Sequence, residues 1–327
     1  MIAYAARRLL AMVPVLLLVS LLSFFLMYLT PGDPVTTMLQ QGGGAYDQSV
    51  ADEMRARLGL DRPVWEQYLS WLAGIVQGDF GTSISTGTPV AAEIARRLPA
   101  TAFLAVASMV VTLAVSIPLG FLIAVHRGKA VDAVVRALSF VGASAPGFLV
   151  AMVLVFVFAI TLHWFSSLGN LKGTNWVLPV ATLALCESAV YVRQVRSAVL
   201  QELGKDYVRV ERLRGIRPTA TLARCVLRAV APTLLVLTGM SVGQLLGGTA
   251  IIETVFNWPG VGQYAVQAVF ARDYPVIQGY VLLMAVIYLV VNLLVDIAQA
   301  ALDPRVRADM KAPGRLTRRR EGASDHA

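Results

Sequence analysis

Charge and cysteine are what this sequence has least of. Only 15% of its 327 residues are Asp, Glu, Lys or Arg, while 57% are hydrophobic, a balance outside that of an ordinary soluble domain. Its two cysteines, Cys186 in an apolar run and Cys225 in a basic one, exclude a disulfide framework. The three histidines, His126, His163 and His326, stand apart. No group of His, Cys, Asp and Glu has metal-ligand spacing, so no metal, other cofactor or catalytic residue is expected. Gly-x-x-x-x-Gly-Lys-Ser/Thr is absent, which excludes a P-loop nucleotide site. Ionisable groups inside apolar runs are few, chiefly Glu187 and Asp296, whereas a proton- or sodium-coupled carrier usually buries several. The first apolar run is too long for a cleavable signal and is followed by Thr-Pro-Gly-Asp-Pro, not by a small-residue cleavage pattern.

What the sequence has in quantity is apolar runs. Residues 11–29, 102–125, 137–162, 176–192, 232–252 and 277–301 are each long enough to cross a hydrocarbon core at about 1.5 Å per residue, which predicts an all-α polytopic membrane protein with six spans. A bend is expected in the third at Gly142, Pro146 and Gly147. Of 28 Lys and Arg, two lie at the amino terminus, three in residues 126–136, nine in residues 193–228 and seven in the tail. Those 21 mark the cytoplasmic side and place both termini there. The formal net charge of +8 is carried beside spans and in the tail, so it points to anionic lipid and topology, not to nucleic acid.

Three parts follow: residues 1–99, a span and a large external loop; residues 100–307, a five-helix core; and residues 308–327, a basic tail expected to be disordered. Short helices are expected at residues 48–58 and in the segment after Pro63. There Trp65, Leu69, Leu72 and Val76 share a face, which suits either a membrane surface or packing against span ends. A second external loop, residues 253–278, has its own short helix.

The stretch Tyr191–Pro232 is polar and basic between two apolar runs. Val195, Val199, Tyr207, Val210 and Leu213 recur at helical intervals, predicting an amphipathic helix over residues 193–214. Gly215 ends it with a left-handed backbone, and Pro218 suits the first turn of the next helix, residues 219–229. Such a unit fits docking on a partner protein; it also fits an ordinary loop obeying the charge bias. In the fifth span Gly239, Gly243 and Gly247, with Gln244 beside them, let another helix approach, as packing, subunit interface or moving gate. Glu187, deep in the fourth span, is expected either to be held by the Tyr191 hydroxyl four residues on or to line a watery path.

Several stretches resemble the membrane permease subunits of bacterial ABC importers of the dipeptide, oligopeptide and nickel type. They are LTPGDPV (29–35), LGLDRPVWEQYLSWLAGIVQGDFGTS (58–83), LPATAFLA (98–105), GKDYVRVERLRGI (204–216), ETVFNWPGVG (253–262) and DPRVR (303–307). The resemblance implies the type I importer permease fold in the bacterial inner membrane and a transport subunit without enzymatic activity. It also implies a second, homologous permease as partner, two ATPase subunits beneath and a solute-binding protein outside. Short peptides are the expected substrate, with nickel chelates, glutathione and other small solutes carried by relatives; a carrier or channel working alone is the rival reading. Tyr207, Arg209, Arg214, Gly215 and Ile216 match the family's ATPase-docking motif, which continues into Arg217 and Pro218. Glu211 and Leu213 stand where that motif commonly has alanine. On this reading a path-lining Glu187 offers a transient counter-charge to a passing peptide's ammonium.

Overall fold

The computed structural model describes residues 2–29, 35–36, 48–58, 61–167, 169, 171, 173–216 and 221–302. Among them it is helical, with no strand beyond an isolated bridge between Thr82 and Pro89. The chain runs through α1 (Ile2–Leu29), short α2 (Gln48–Leu58) and α3 (Val64–Val76), and the 36-residue α4 (Val90–Val125). α5 (Ala130–Ser144) and α6 (Gly147–Leu154) follow, the latter continuing as a π-helical stretch, Val155–Thr161. Next come α7 (Val177–Leu203), α8 (Asp206–Leu213), and α9 (Leu227–Val255) with a π-helical lead over Leu222–Val226. α10 (Val261–Ala271) and α11 (Tyr274–Leu302) complete the described chain.

α1, α4, α9 and α11 are long and apolar enough to cross a bilayer, and α5 with α6 and its extension passes as one broken span bent by 104°. The bend falls at Ala145–Pro146, where proline holds the preceding residue extended (Ala145 ψ 129°) and supplies no N–H to continue the ladder. It therefore sits where Gly142, Pro146 and Gly147 predict it. α7 begins as the expected fourth span but does not stop at residue 192. The same helix carries on through Arg193, Arg196 and Glu202 to Leu203, and that charged half keeps it outside the apolar class.

Other boundaries move for similar reasons. α4 starts at Val90, and Pro99 sits inside it, so the division expected at residues 99–100 falls within one helix. The amphipathic helix expected over residues 193–214 is two helices, interrupted at Gly204–Lys205. Of the separate helix expected at residues 219–229, positions 219 and 220 lie outside the described residues, and 222–229 run straight into α9, with Pro232 inside the continuous helix.

α7 is the central element, packed against α4, α5, α6 and α9, while α1 packs on α11. Two buried clusters lie along it. One gathers Leu104, Leu178, Leu245, Phe256 and Trp258; the other gathers Tyr191, Val195, Val199, Val208 and Val230. α3 packs on α1 by Tyr68 and Trp71, whose rings lie 5.4 and 5.9 Å from that of Phe24. Trp65, Leu69 and Val76 are exposed. The apolar stripe read from the sequence is thus the free face, and the aromatic pair beside it makes the protein contact.

Candidate functional site

The basic end of the bundle is where α4, α7 and the docking-type turn meet. α7 ends at Gly204, and α8 resumes at Asp206, placing Val208 in the core cluster while Tyr207, Arg209, Val210 and Leu213 stay exposed. The turn after α8 depends on Gly215, whose φ of +73° is the left-handed conformation expected of it, with open space where a Cβ would stand. Around that turn Tyr207, Val210, Leu213 and Ile216 are exposed, Leu213 by 81%, and Arg209 and Arg214 are exposed beside them. Arg217 and Pro218 lie outside the described residues.

Two polar contacts set the turn's orientation. The Tyr207 hydroxyl donates to the Glu202 carboxylate at 3.0 Å. Partial burial, followed by that contact, pushes the phenol up to about 12, so it remains a donor. On the other side the Cys225 thiol donates to Glu211 at 3.2 Å, which gives Glu211 a partner within the chain.

A third contact holds α7. Asp132, in the first turn of α5, accepts from the Arg196 guanidinium at 2.8 and 2.9 Å and from the Gly128 N–H at 3.1 Å, with Arg136 at 3.2 Å. Two guanidinium groups stand against Asp132, so attraction outweighs desolvation. The Arg196 guanidinium, above all, holds its carboxyl at about 2.

Along the middle of the bundle, Gly239 faces Val295 and Gly243 faces Tyr288. An added Cβ would come within 2.8 Å of one and 2.6 Å of the other, so both serve close packing of α9 on α11. Gly247 has nothing within 4 Å of that position. It shares an uncovered face with Met240, Gln244 and Ile251. Glu187 is 7% exposed, on the α9 side of α7, with Ser241 as polar neighbour; its Oε1 has no hydrogen-bond partner. Tyr191 does not hold it. That hydroxyl donates to the Leu234 carbonyl and shares a hydrogen bond with Thr238, each at 2.9 Å.

The opposite end holds two carboxylates to which the sequence reading assigned no role. Glu253 is fully buried and accepts from the Thr101 hydroxyl and the Gln263 N–H, both at 2.8 Å. Gly260 and Gly262 lie so close that a Cβ on either would run into it. Trp258 is wedged beside this cradle, donating to the Ala100 carbonyl at 3.1 Å. Asp273, also buried, accepts from the Ser83 and Ser85 hydroxyls at 2.5 and 2.7 Å and from the Ile84 and Ser85 N–H groups at 3.1 Å. The glycines seven and nine positions after Glu253 were the available signal, since a bare backbone near an acid is a ready N–H cradle.

Comparison with known proteins agrees with this geometry. Residues 116–308 match the family described as "Binding-protein-dependent transport system inner membrane component". Residues 1–105 match its N-terminal membrane component. Glutathione transport system permease protein GsiC of Escherichia coli K12 and its counterpart in Salmonella typhi are each 36% identical over 307 residues, covering 94% of this chain and 99% of theirs. An inward-facing structure of the MetNI methionine ABC transporter superposes with a TM-score of 0.55 at 18% identity, covering 64% of this chain and 96% of that one.

Proposed function

Since this chain belongs to the binding-protein-dependent transport inner-membrane components and is a multi-pass permease subunit of an ABC importer, we propose that it forms half of a path for short peptides. The relatives transport glutathione by name, itself a tripeptide, which keeps that solute within the same substrate class. In this reading both termini and the turn at Gly215 face the cytoplasm, as the distribution of Lys and Arg favours. A second, homologous permease covers the uncovered face of α9, two ATPase subunits lie below, and a solute-binding protein delivers substrate from outside.

The observation that carries the reading is the tip formed by α8 and the Gly215 turn. Four apolar side chains are exposed there among arginines, on a segment whose buried apolar anchor is Val208. That composition suits a protein groove better than water or lipid. ATP binding would close the ATPase subunits, draw the docked turns of the two permeases together and, through α7, switch the path from inward to outward access.

Two measurements test it. Gly215→Val strains the left-handed position by about 1 kcal/mol or more and adds bulk at the tip. The permease should stay in the membrane while co-purification of the ATPase and peptide-stimulated hydrolysis fall, and normal uptake by a normally abundant variant defeats the docking role. For the substrate, uptake of a labelled dipeptide by cells carrying the whole system is competed with unlabelled glutathione and with a nickel chelate. Competition by the chelate alone removes the peptide assignment.

A further inference from the structure

Beneath α8, where the basic ends of α4 and α7 meet the start of the α9 lead, lies a cavity of about 340 Å³ that none of these roles uses. Ala124, Val125, Leu200, Leu203 and Leu222 give it apolar walls, and Val208 closes it from the α8 side. Two polar side chains also line it. Thr221 is 3% exposed and its hydroxyl has no hydrogen-bond partner, a state that buried polar groups rarely keep unless something answers them. Arg127 stands exposed and makes no ion pair among the described residues. Val125 is the last residue of α4 and Arg127 follows two positions on, the depth at which an apolar span gives way to headgroups.

We propose that this cavity holds one anionic phospholipid of the cytoplasmic leaflet. Its phosphate sits on the Arg127 guanidinium, and a glycerol-ester or phosphate oxygen accepts from the Thr221 hydroxyl. The first carbons of one chain run along Leu200, Leu203 and Leu222. The volume takes roughly eleven groups the size of a water's share of liquid, about 30 Å³ each. That is enough for the glycerol region and the head of a chain, with the remainder lying in the bilayer. Because Val208 precedes the Gly215 turn and Thr221 follows it, the lipid ties both arms of that turn to α4 and α7. This last point rests on the docking role proposed above; the binding itself does not.

The test uses the assembled complex in phosphatidylcholine nanodiscs and follows immobilisation of spin-labelled phosphatidylglycerol, with spin-labelled phosphatidylcholine and stearate as parallel probes. Phosphatidylglycerol should be retained in preference to phosphatidylcholine. Arg127→Gln should lower that preference about fivefold, the effect of the roughly 1 kcal/mol that one arginine supplies near an anionic surface. Leu200→Trp, and the milder Val125→Phe should the first variant fold poorly, narrow the cavity without changing charge and should lower the preference to a similar degree. Equal retention of the two phospholipids by the wild type overturns the site. So does a preference lost in Arg127→Gln but intact in the cavity-narrowing variants, since the arginine would then act only as surface charge. Retention of stearate without phosphatidylglycerol overturns the phospholipid assignment.

Discussion

Glu253 and Asp132 are both buried carboxylates, one at each end of the bundle, and they are compensated by different means. Glu253 is held by neutral donors: a threonine hydroxyl from α4 and a backbone N–H at the start of α10, with two glycines giving room. Asp132 is held by guanidinium groups, one of them on α7. Neutral donors in a sealed site fix one geometry, because moving any of them leaves a dry acceptor or donor without a partner. Around Asp132 water reaches the cation side, Arg136 at 51% and Arg196 at 19% exposure, so those guanidinium contacts can lengthen and hydrate more readily than a sealed cradle. The end holding Glu253 and Asp273 is therefore organised as a fixed frame. The basic end, with its exposed turn and charge-paired α7, is the part that moves in the reading proposed above.

The largest expected effect tests the frame. Glu253→Ala strands the Thr101 hydroxyl and the Gln263 N–H, a loss of about 2–6 kcal/mol on a total stability of the order of 5–15 kcal/mol. Fluorescence-detected size exclusion should show little monodisperse permease, and a monodisperse variant at wild-type abundance would break the contrast between the ends. Next, Asp132→Asn should lower stability by only about 1–2 kcal/mol, since Arg196 keeps some access to water. It should nonetheless reduce peptide-stimulated ATP hydrolysis while ATPase subunits still co-purify. Intact coupling in that variant would make the pair ordinary packing.

A smaller effect concerns the middle. Glu187→Gln keeps shape and removes the charge, so a path role predicts slower uptake of free-amino peptides at unchanged abundance, read against N-acetylated peptides as control. Equal uptake of both with equal abundance assigns Glu187 to packing. The smallest effect is one of pH. The Asp132 carboxyl is lowered from 3.8 to about 2, so its stabilising contribution is fully present above pH 3.8 and fades only as pH falls through about 2. ATPase coupling measured between pH 5 and 8 should show no transition from this group.

Legibility in the sequence followed the range of the interactions. Gly215 was readable because its role is local: a helix stop in basic surroundings needs a left-handed residue. The bend at Pro146 was readable for the same reason. The break at Gly204 was missed because apolar spacing continues across it, from Val199 to Tyr207, and spacing alone does not record a two-residue interruption of the helix. On α3 the sequence left two partners open for the Trp65 stripe, since lipid and protein are both apolar and periodicity does not tell which face meets which; the structure leaves Trp65, Leu69 and Val76 exposed. The cradle of Glu253 depends on Thr101, 152 positions away, and no local pattern announces such a return.

The unbroken run of α7 gives the molecule a lever. Twenty-seven residues from Val177 to Leu203 make a rod about 40 Å long at 1.5 Å per residue. Its first turns lie in the cluster with Trp258, and its last turns carry Arg196 and lead directly into α8. A tilt of about 5° about its midpoint would swing each tip by roughly 2 Å, the size of helix shift that switches packed interfaces. No hinge interrupts the rod before Gly204, so under the docking role proposed above a push delivered at α8 would carry Glu187 and the Leu178 region with it, and the angle through which α7 turns would set the stroke.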